Sequence, residues 1–308
     1  MAPASARALM ARAVDYAGLF PPAQLPLADA LAEYRRALAG AEAWMLGRFI
    51  VPAVQLPALA DAVVRDAHDG TPWTVSAIVR EHMDEDAAEV QAFNQRAADQ
   101  HVRVDTIECR PSSPSGPGSS DGITWLANTF SPAFTVHVEV GLGPTGPDEL
   151  RVIARHQLRA KVRTGGLAPD AFPAPANLVA FIESARDAGV PFKATAGLHH
   201  AMRGAYPLSD EIGARSATMH GFVNLMLAAA AVGERLPATT AAALLTRTDH
   251  AALVFDDDRV RWGDVELPID AINRMREAQC VSFGSCSFRE PADEYRRFDC
   301  SHALAPRG

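Results

Sequence analysis

The chain has 308 residues, of which 48% are hydrophobic and 21% are charged. This composition is typical of a globular protein and excludes an intrinsically disordered or fibrous chain. The net charge of −8 argues against nucleic acid or an anionic membrane as the main partner. An anionic ligand would need a local cluster of basic side chains.

Several features of the sequence indicate the cellular compartment of the protein. Arg7, Arg12 and Asp15 interrupt the N-terminal region before an apolar core of signal-peptide length develops. The longest uncharged apolar stretch, residues 216–233, is typical of a buried helix rather than a membrane span. The four cysteines have neither the density of a disulfide scaffold nor the spacing of a zinc knuckle. We therefore expect a reduced, cytoplasmic protein.

Short β-rich runs alternate with helical patterns along the chain. Eight runs are predicted as strands: 14–20, 46–51, 73–79, 102–109, 134–140, 158–163, 191–196 and 281–288. Helices are predicted between them and after the last, at 27–38, 57–67, 84–98, 123–130, 147–156, 176–188 and 291–297. This alternation predicts an α/β protein with a (β/α)8 TIM barrel, formed as a single domain over residues 1–308.

Two segments interrupt the alternation. Residues 111–121 are rich in Pro, Gly and Ser and are predicted to form a flexible surface loop, or else a flap over the C-terminal face of the barrel. Residues 200–279 form a long insertion after the seventh strand. Within it we predict helices at 222–232 and near 239–246, and a hairpin at 252–267.

Two lysines lie inside predicted apolar strands, Lys161 in LRAKVRTGG and Lys193 in VPFKATAGLHH. Catalytic groups of such barrels come from the C-terminal ends of strands, so we expect both lysines in one cavity. A buried ammonium is costly unless it is paired or deprotonated. Two ammonium groups on consecutive strands repel, which predicts a lowered pKa for at least one of them. A neutral lysine is a nucleophile.

Other charged side chains extend the predicted site. Asp105 and Glu139 lie on neighbouring strands, where they are expected to neutralise the lysines and to move protons. Arg163 follows Lys161 by two residues and therefore points to the same face of the strand. Three residues after the seventh strand would complete a basic cluster for an anion: His199, His200 and Arg203.

Five segments in this order resemble those of deoxyribose-phosphate aldolases, a family of class I Schiff-base aldolases with a (β/α)8 barrel. They are VDTI at 104–107, VEVG at 138–141, AKVRTG at 160–165, FKATAG at 192–197 and SFGSCS at 282–287. The resemblance implies a Schiff base on Lys161, with Lys193 as the second lysine and Asp105 as the catalytic aspartate. It also places the substrate near the last three segments, at Thr164, Gly197, Gly284, Ser285, Cys286 and Ser287. The first three strands are similar only in architecture, with Asp15 and Pro52 as weak points of likeness.

The chain departs from the family pattern where that family binds phosphate. Ala196 replaces the first of two glycines after the second lysine, Gly166 replaces a lysine, and Cys286 replaces one of two serines. The insertion after the seventh strand is not a feature of the family either. The resemblance therefore implies aldolase chemistry with altered recognition of the anion.

The leading hypothesis is an aldehyde-lyase that makes or breaks a C–C bond. Its substrate would be a small carbonyl compound bearing a phosphate or a carboxylate. We expect no cofactor and no metal, no nucleic-acid or membrane partner, and leave a homo-oligomer open.

Two alternatives to the aldolase hypothesis remain. A metal-dependent barrel hydrolase or lyase would use imidazole and carboxylate ligands, which suit Zn, Fe or Mn. The candidate ligands are His137, Glu139, His199, His200 and His220. A barrel that has lost catalysis would act as a binding protein, although the retention of both lysines, Asp105 and Glu139 argues against it.

Overall fold

The computed structural model describes residues 2–65, 71–80, 83–110, 120–209 and 214–301. Strands and helices are numbered along the chain. Eight parallel strands form the barrel: β1 Val14–Tyr16, β2 Leu46–Pro52, β3 Trp73–Val79, β4 Val102–Cys109, β5 Thr135–Val140, β6 Arg159–Arg163, β7 Phe192–Thr195 and β13 Cys280–Ser285. Around the closed barrel their order is β1, β13, β7, β6, β5, β4, β3, β2. The predicted (β/α)8 barrel is confirmed.

Helices surround this barrel. Their bounds are α1 Ala4–Met10, α2 Leu27–Leu38, α3 Leu56–Arg65, α4 Met83–Arg96, α5 Ser120–Phe130, α6 Gly146–Arg155, α7 Pro175–Asp187, α8 Phe222–Gly233, α9 Ala238–Thr246, α10 Ile269–Ala278 and α11 Arg289–Ser301. Local sequence explains their ends. In α2, Asp29 lies in the first turn and Arg36 in the last, where each charge complements the helix dipole. Pro175 begins α7, a position where its missing N–H has no cost.

The insertion after β7 supplies a helix of the outer layer. Residues 222–232 of α8 are all buried, and the helix packs between α7, α9 and α10. An antiparallel hairpin precedes it, β8 (Gly204–Pro207) with β9 (Ser216–Met219). The predicted hairpin near 252–267 is a three-stranded antiparallel sheet of β10 (Leu253–Phe255), β11 (Arg259–Trp262) and β12 (Val265–Pro268). Of the predicted loop at 111–121, residues 111–119 lie outside the described residues.

The two faces of the barrel sheet differ in chemistry. On β5, Val136, Val138 and Val140 are buried and alternate with His137 and Glu139, so the valines face the helices and the polar side chains face the barrel interior. Barrel interiors of this fold are usually filled by branched apolar residues. A charged interior therefore indicates a functional site. Within the described ranges, no helix combines the length and the apolarity needed to cross a membrane.

Candidate active site

A cavity of about 340 Å³ opens at the C-terminal ends of the barrel strands. Its polar lining includes Glu108 on β4, Glu139 on β5, and Lys161 and Arg163 on β6. His199 lines it from the segment after β7. Active sites of (β/α)8 enzymes lie at this face of the barrel, so the position agrees with a catalytic cavity.

Lys161 is the lysine that reaches this cavity. Its side chain is 7% exposed, and its Nζ lies 3.2 Å from Glu108 Oε2 and 3.3 Å from Glu139 Oε2. The other oxygen of Glu139 lies 3.6 Å from Nη1 of Arg110, which is an exposed side chain. Lys161 is thus held between two carboxylates, of which Glu139 is the less buried.

Lys193 lies beside Lys161 in the register of β6 and β7, but it is fully buried and does not line the cavity. Its Nζ donates to Asp15 Oδ2 at 2.5 Å and to Glu108 Oε1 at 2.7 Å. Two serine hydroxyls complete the arrangement. Ser282 donates to Asp15 at 2.8 Å, and Ser76 donates to Glu108 at 2.7 Å.

Electrostatics fix the charge of this buried pair. Burial disfavours the ammonium of Lys193, yet Asp15 and Glu108 hold its pKa above the usual value. Burial likewise disfavours the carboxylate of Glu108, yet Lys193 and Lys161 hold the pKa of Glu108 well below its usual range. The expectation that repulsion lowers a lysine pKa does not hold for Lys193, because carboxylates surround it.

Lys161 and Lys193 are the only two lysines of the chain. The other 27 of its 29 basic residues are arginines. Arginine is used at all the other Lys or Arg positions of the chain. Its guanidinium stays protonated and does not form an imine. The sequence alone already shows that lysine occurs at these two positions only.

Asp105 is not brought to the lysines as expected. Its carboxylate pairs with Arg48, whose Nε and Nη2 lie 2.6 Å and 3.1 Å from its two oxygens. The cause is a bulge in β4. Its pairing with β3 passes from Val104 directly to Thr106 and leaves Asp105 without a partner residue. Glu108 takes the position beside the lysines instead.

Glu108 and Asp15 are the site residues that sequence reasoning missed or undervalued. In a regular strand, residues three apart point to opposite faces, so an inward Asp105 would exclude an inward Glu108. The bulge removes this restriction. A carboxylate within each apolar strand, in VDY and in TIEC, was the available signal.

Five of the predicted substrate-binding residues line the cavity: Arg163, Gly197, His199, Gly284 and Cys286. Among them, His199 Nδ1 lies 3.5 Å from Cys286 Sγ and 3.9 Å from a carboxylate oxygen of Glu290. The imidazole is thereby placed at the edge of the cavity between a thiol and a carboxylate.

The other predicted substrate-binding residues have structural contacts and do not line the cavity. Thr164 Oγ1 donates to the carbonyl of Ala196 at 2.6 Å. His200 Nδ1 lies 2.7 Å from Glu294, and Arg203 Nη1 lies 3.2 Å from His220 Nδ1. Two serines at the end of β13 are engaged with the backbone: Ser287 Oγ accepts from the N–H of Glu290, and Ser285 Oγ accepts from the N–H of Ser287.

The loops after β6 and β7 touch at two glycines. A Cβ on Gly165 would lie 2.5 Å from the ring of Phe172 and 3.0 Å from Cα of Gly197. Gly197 has φ +74° and Ala196 has φ +60°. Only glycine adopts such angles without strain, so Ala196 is held in a conformation that costs an alanine energy. The cavity edge is therefore closely packed.

The histidines of the metal hypothesis come from three parts of the fold: β5, the segment after β7 and the residue after β9. His137 is buried, and in the described structure neither ring nitrogen has a hydrogen-bond partner. Burial, together with the nearby Lys193, holds its pKa well below the usual value. His220 Nε2 lies 2.8 Å from the carbonyl of Pro173. Across the described ranges, no three His, Cys, Asp or Glu side chains converge as metal ligands.

Fold and site together define a (β/α)8 barrel whose cavity reaches one of two adjacent buried lysines. No family model matches the chain, and no curated protein matches it.

Proposed function

We propose that the protein is a class I aldolase-type lyase in which Lys161 forms a Schiff base with a small carbonyl substrate. The observation that carries the proposal is the placement of the only two lysines. Both lie in the barrel interior, and Lys161 alone lines the cavity. The likeness to deoxyribose-phosphate aldolases, with Lys161 and Lys193 in matching segments, supports the same role.

The reaction begins when the ammonium of Lys161 gives up a proton. Its amine then adds to the carbonyl carbon, and loss of water leaves an iminium ion. The iminium accepts the electron pair of the bond between its α and β carbons. As the hydroxyl on the β carbon gives up its proton, this bond breaks to give an enamine and an aldehyde. Protonation of the enamine carbon and hydrolysis of the imine release the second product and restore Lys161.

Glu139 is the better placed proton carrier of the two carboxylates beside Lys161. The low pKa of Glu108, fixed by Lys193 and Lys161, makes it a poor acid and base near neutral pH. Glu108 therefore acts as a permanent counter-ion. Glu139 borders the cavity at 3.3 Å from Nζ and is the residue to which we assign proton transfer.

Lys193 acts through Glu108 and does not touch the substrate. Its charge is held by Asp15 and Glu108. The buried ammonium of Lys193 keeps Glu108 ionised. The carboxylate of Glu108 is then shared between the ammonium groups of Lys193 and Lys161. The proposed enzyme needs no cofactor, and a cytoplasmic location remains part of the proposal.

Trapping with borohydride tests the proposal. Acetaldehyde and borohydride are added together, and peptide mass spectrometry locates the reduced adduct. Because the chain has two lysines, the N-terminal amine is the one other amine to follow. We expect the ethyl group on Lys161, and its loss in Lys161→Arg. A label on Lys193 would reverse the two roles, and no label on either lysine would refute the Schiff base.

A further inference from the structure

We propose that the carbonyl substrate is a 2-oxo acid whose carboxylate, directly attached to the reacting carbon, is bound by Arg163. This inference rests on the proposed function of Lys161 and names its substrate class. Four features of the cavity lead to it: its cations, its carboxylates, the spacing along β6 and its apolar wall.

The small polar side chains at the end of β13 are engaged with neighbouring groups. Ser285 and Ser287 accept backbone N–H groups, and the thiol of Cys286 lies against His199. A phosphate group presents three strong acceptor oxygens. Of the described cavity-lining side chains, Arg163 is the one guanidinium, and His199 is the one imidazole. The site is therefore suited to a small planar anion.

The carboxylates of the cavity also oppose a doubly charged group. Glu108 and Glu139 both border it, and each lies within 3.3 Å of Lys161. Two like charges at short range repel more strongly at a partly buried site than in bulk water. A carboxylate brings one negative charge, which the Arg163 guanidinium neutralises in a bidentate contact. A phosphate ester brings close to two.

Spacing along β6 places this contact next to the reacting carbon. Arg163 and Lys161 are two residues apart on the same face, which separates their Cα atoms by roughly 7 Å. The side chain of Arg163 therefore leaves the strand one layer above that of Lys161, and both line the cavity. A carboxylate bonded to the imine carbon lies between the two groups. An anion on a more distant carbon would extend beyond Arg163.

The remaining wall of the cavity is apolar. Phe20, Pro21 and Pro22 form it from the loop after β1, together with Ile78 on β3 and Leu167 after β6. Leu167 is 59% exposed, so its side chain is accessible at the mouth of the cavity. This wall suits an apolar substituent or an apolar aldehyde as the reaction partner of the 2-oxo acid.

The test compares adduct formation on Lys161 with three carbonyl compounds: pyruvate, acetaldehyde and glyceraldehyde 3-phosphate. Labelling is measured against concentration to obtain the half-saturating value of each. We expect the lowest value for pyruvate. Arg163→Gln should raise the half-saturating value for pyruvate roughly 10- to 100-fold, because a charge-assisted contact is lost, and should change the value for acetaldehyde far less. Arg151→Gln, an exposed arginine on α6, is the matched control and should change none of the values.

The possible outcomes distinguish a wrong substrate class from a wrong proposed function. Preferred labelling by the phosphorylated aldehyde would overturn the 2-oxo acid assignment and leave the Schiff base intact. An equal effect of Arg163→Gln on pyruvate and acetaldehyde would do the same. Absence of label with all three compounds would refute the proposed function and the inference together.

Discussion

At the residue scale, each buried charged side chain of the barrel has an identified partner. Lys193 has two carboxylates within 2.7 Å, and each of these carboxylates accepts a further serine hydroxyl. Burial of an ion pair gives little net stability, but removal of one partner leaves an uncompensated charge. Of these side chains, we expect Glu108 to be the most sensitive to substitution, since it contacts both lysines.

Glu108→Gln should destabilise the fold strongly. The amide conserves volume but removes one of the two charges that balance Lys193, and the expected loss is roughly 3 to 5 kcal/mol. Urea unfolding followed by circular dichroism measures it. Glu139→Gln is the matched control; because Glu139 borders the cavity, water can compensate the change, and we expect a clearly smaller loss. Equal losses would mean that Glu108 has no special role in balancing the lysines.

At the scale of elements, the loops after β6 and β7 act as one unit. The contact of Gly165 with Gly197, covered by Phe172, connects the strand that carries Lys161 to the strand that carries Lys193. The Thr164 hydroxyl, bound to the carbonyl of Ala196, adds a second connection. We therefore expect this loop contact, together with the register of β6 and β7, to fix the relative position of the two lysines.

Gly165→Ala should disturb this connection. The added methyl group would meet a Cα atom and an aromatic ring, so one loop must move, at a cost of roughly 1 to 3 kcal/mol. We expect a lower melting temperature and slower adduct formation on Lys161. Gly143→Ala is the control, because nothing lies within 4 Å of its added Cβ. Unchanged trapping in Gly165→Ala would show that the loop contact does not position the lysine.

The alternation of strands and helices was predictable, because apolar periodicity depends on local sequence. Predicted helix 27–38 coincides with α2, and all eight predicted strands contain a barrel strand or overlap one. The bulge at Asp105 was not predictable, since it arises from the pairing of β4 with β3. Asp105 is therefore paired with Arg48 instead of a lysine, whereas Glu139 lies beside Lys161.

The loop residues of the site were harder to predict than the strand residues. Arg163 on β6 lines the cavity as its strand position implied. His200 and Arg203 follow β7 in irregular backbone, where no periodicity sets the direction of a side chain. They pair with Glu294 and His220, which are distant in sequence.

At the scale of the whole molecule, interior charges set how stability depends on pH. The pKa of His137 is lowered, so below about pH 6.5 the unfolded chain binds a proton that the native state does not, and stability falls. Glu108, whose pKa is also lowered, loses its contribution as pH falls further. The raised pKa of Lys193 gives a contribution that is complete below about pH 10 and is lost above it. Maximal stability is expected between these limits.

His137→Gln should flatten the acid side of this profile. One proton difference changes the free energy of unfolding by up to about 1.4 kcal/mol per pH unit. We expect the slope between about pH 6.5 and 5 to decrease in His137→Gln by a large part of that value. Urea titrations at several pH values measure it, with His250→Gln, at an exposed site, as the matched control. An unchanged slope in His137→Gln would mean that His137 is protonated in the native state.

The most direct test is exchange of hydrogen for deuterium at the carbon beside the carbonyl. This exchange reports enamine formation and requires no knowledge of the second substrate. Acetaldehyde and pyruvate are incubated with the protein in deuterium oxide, and proton NMR follows loss of the methyl signal. If Lys161 is the Schiff-base lysine, the wild-type protein accelerates deuterium incorporation into at least one of them. Lys161→Arg then shows only the rate measured without protein. Exchange that persists in Lys161→Arg, or no acceleration by the wild-type protein with either compound, would contradict an aldolase centred on Lys161.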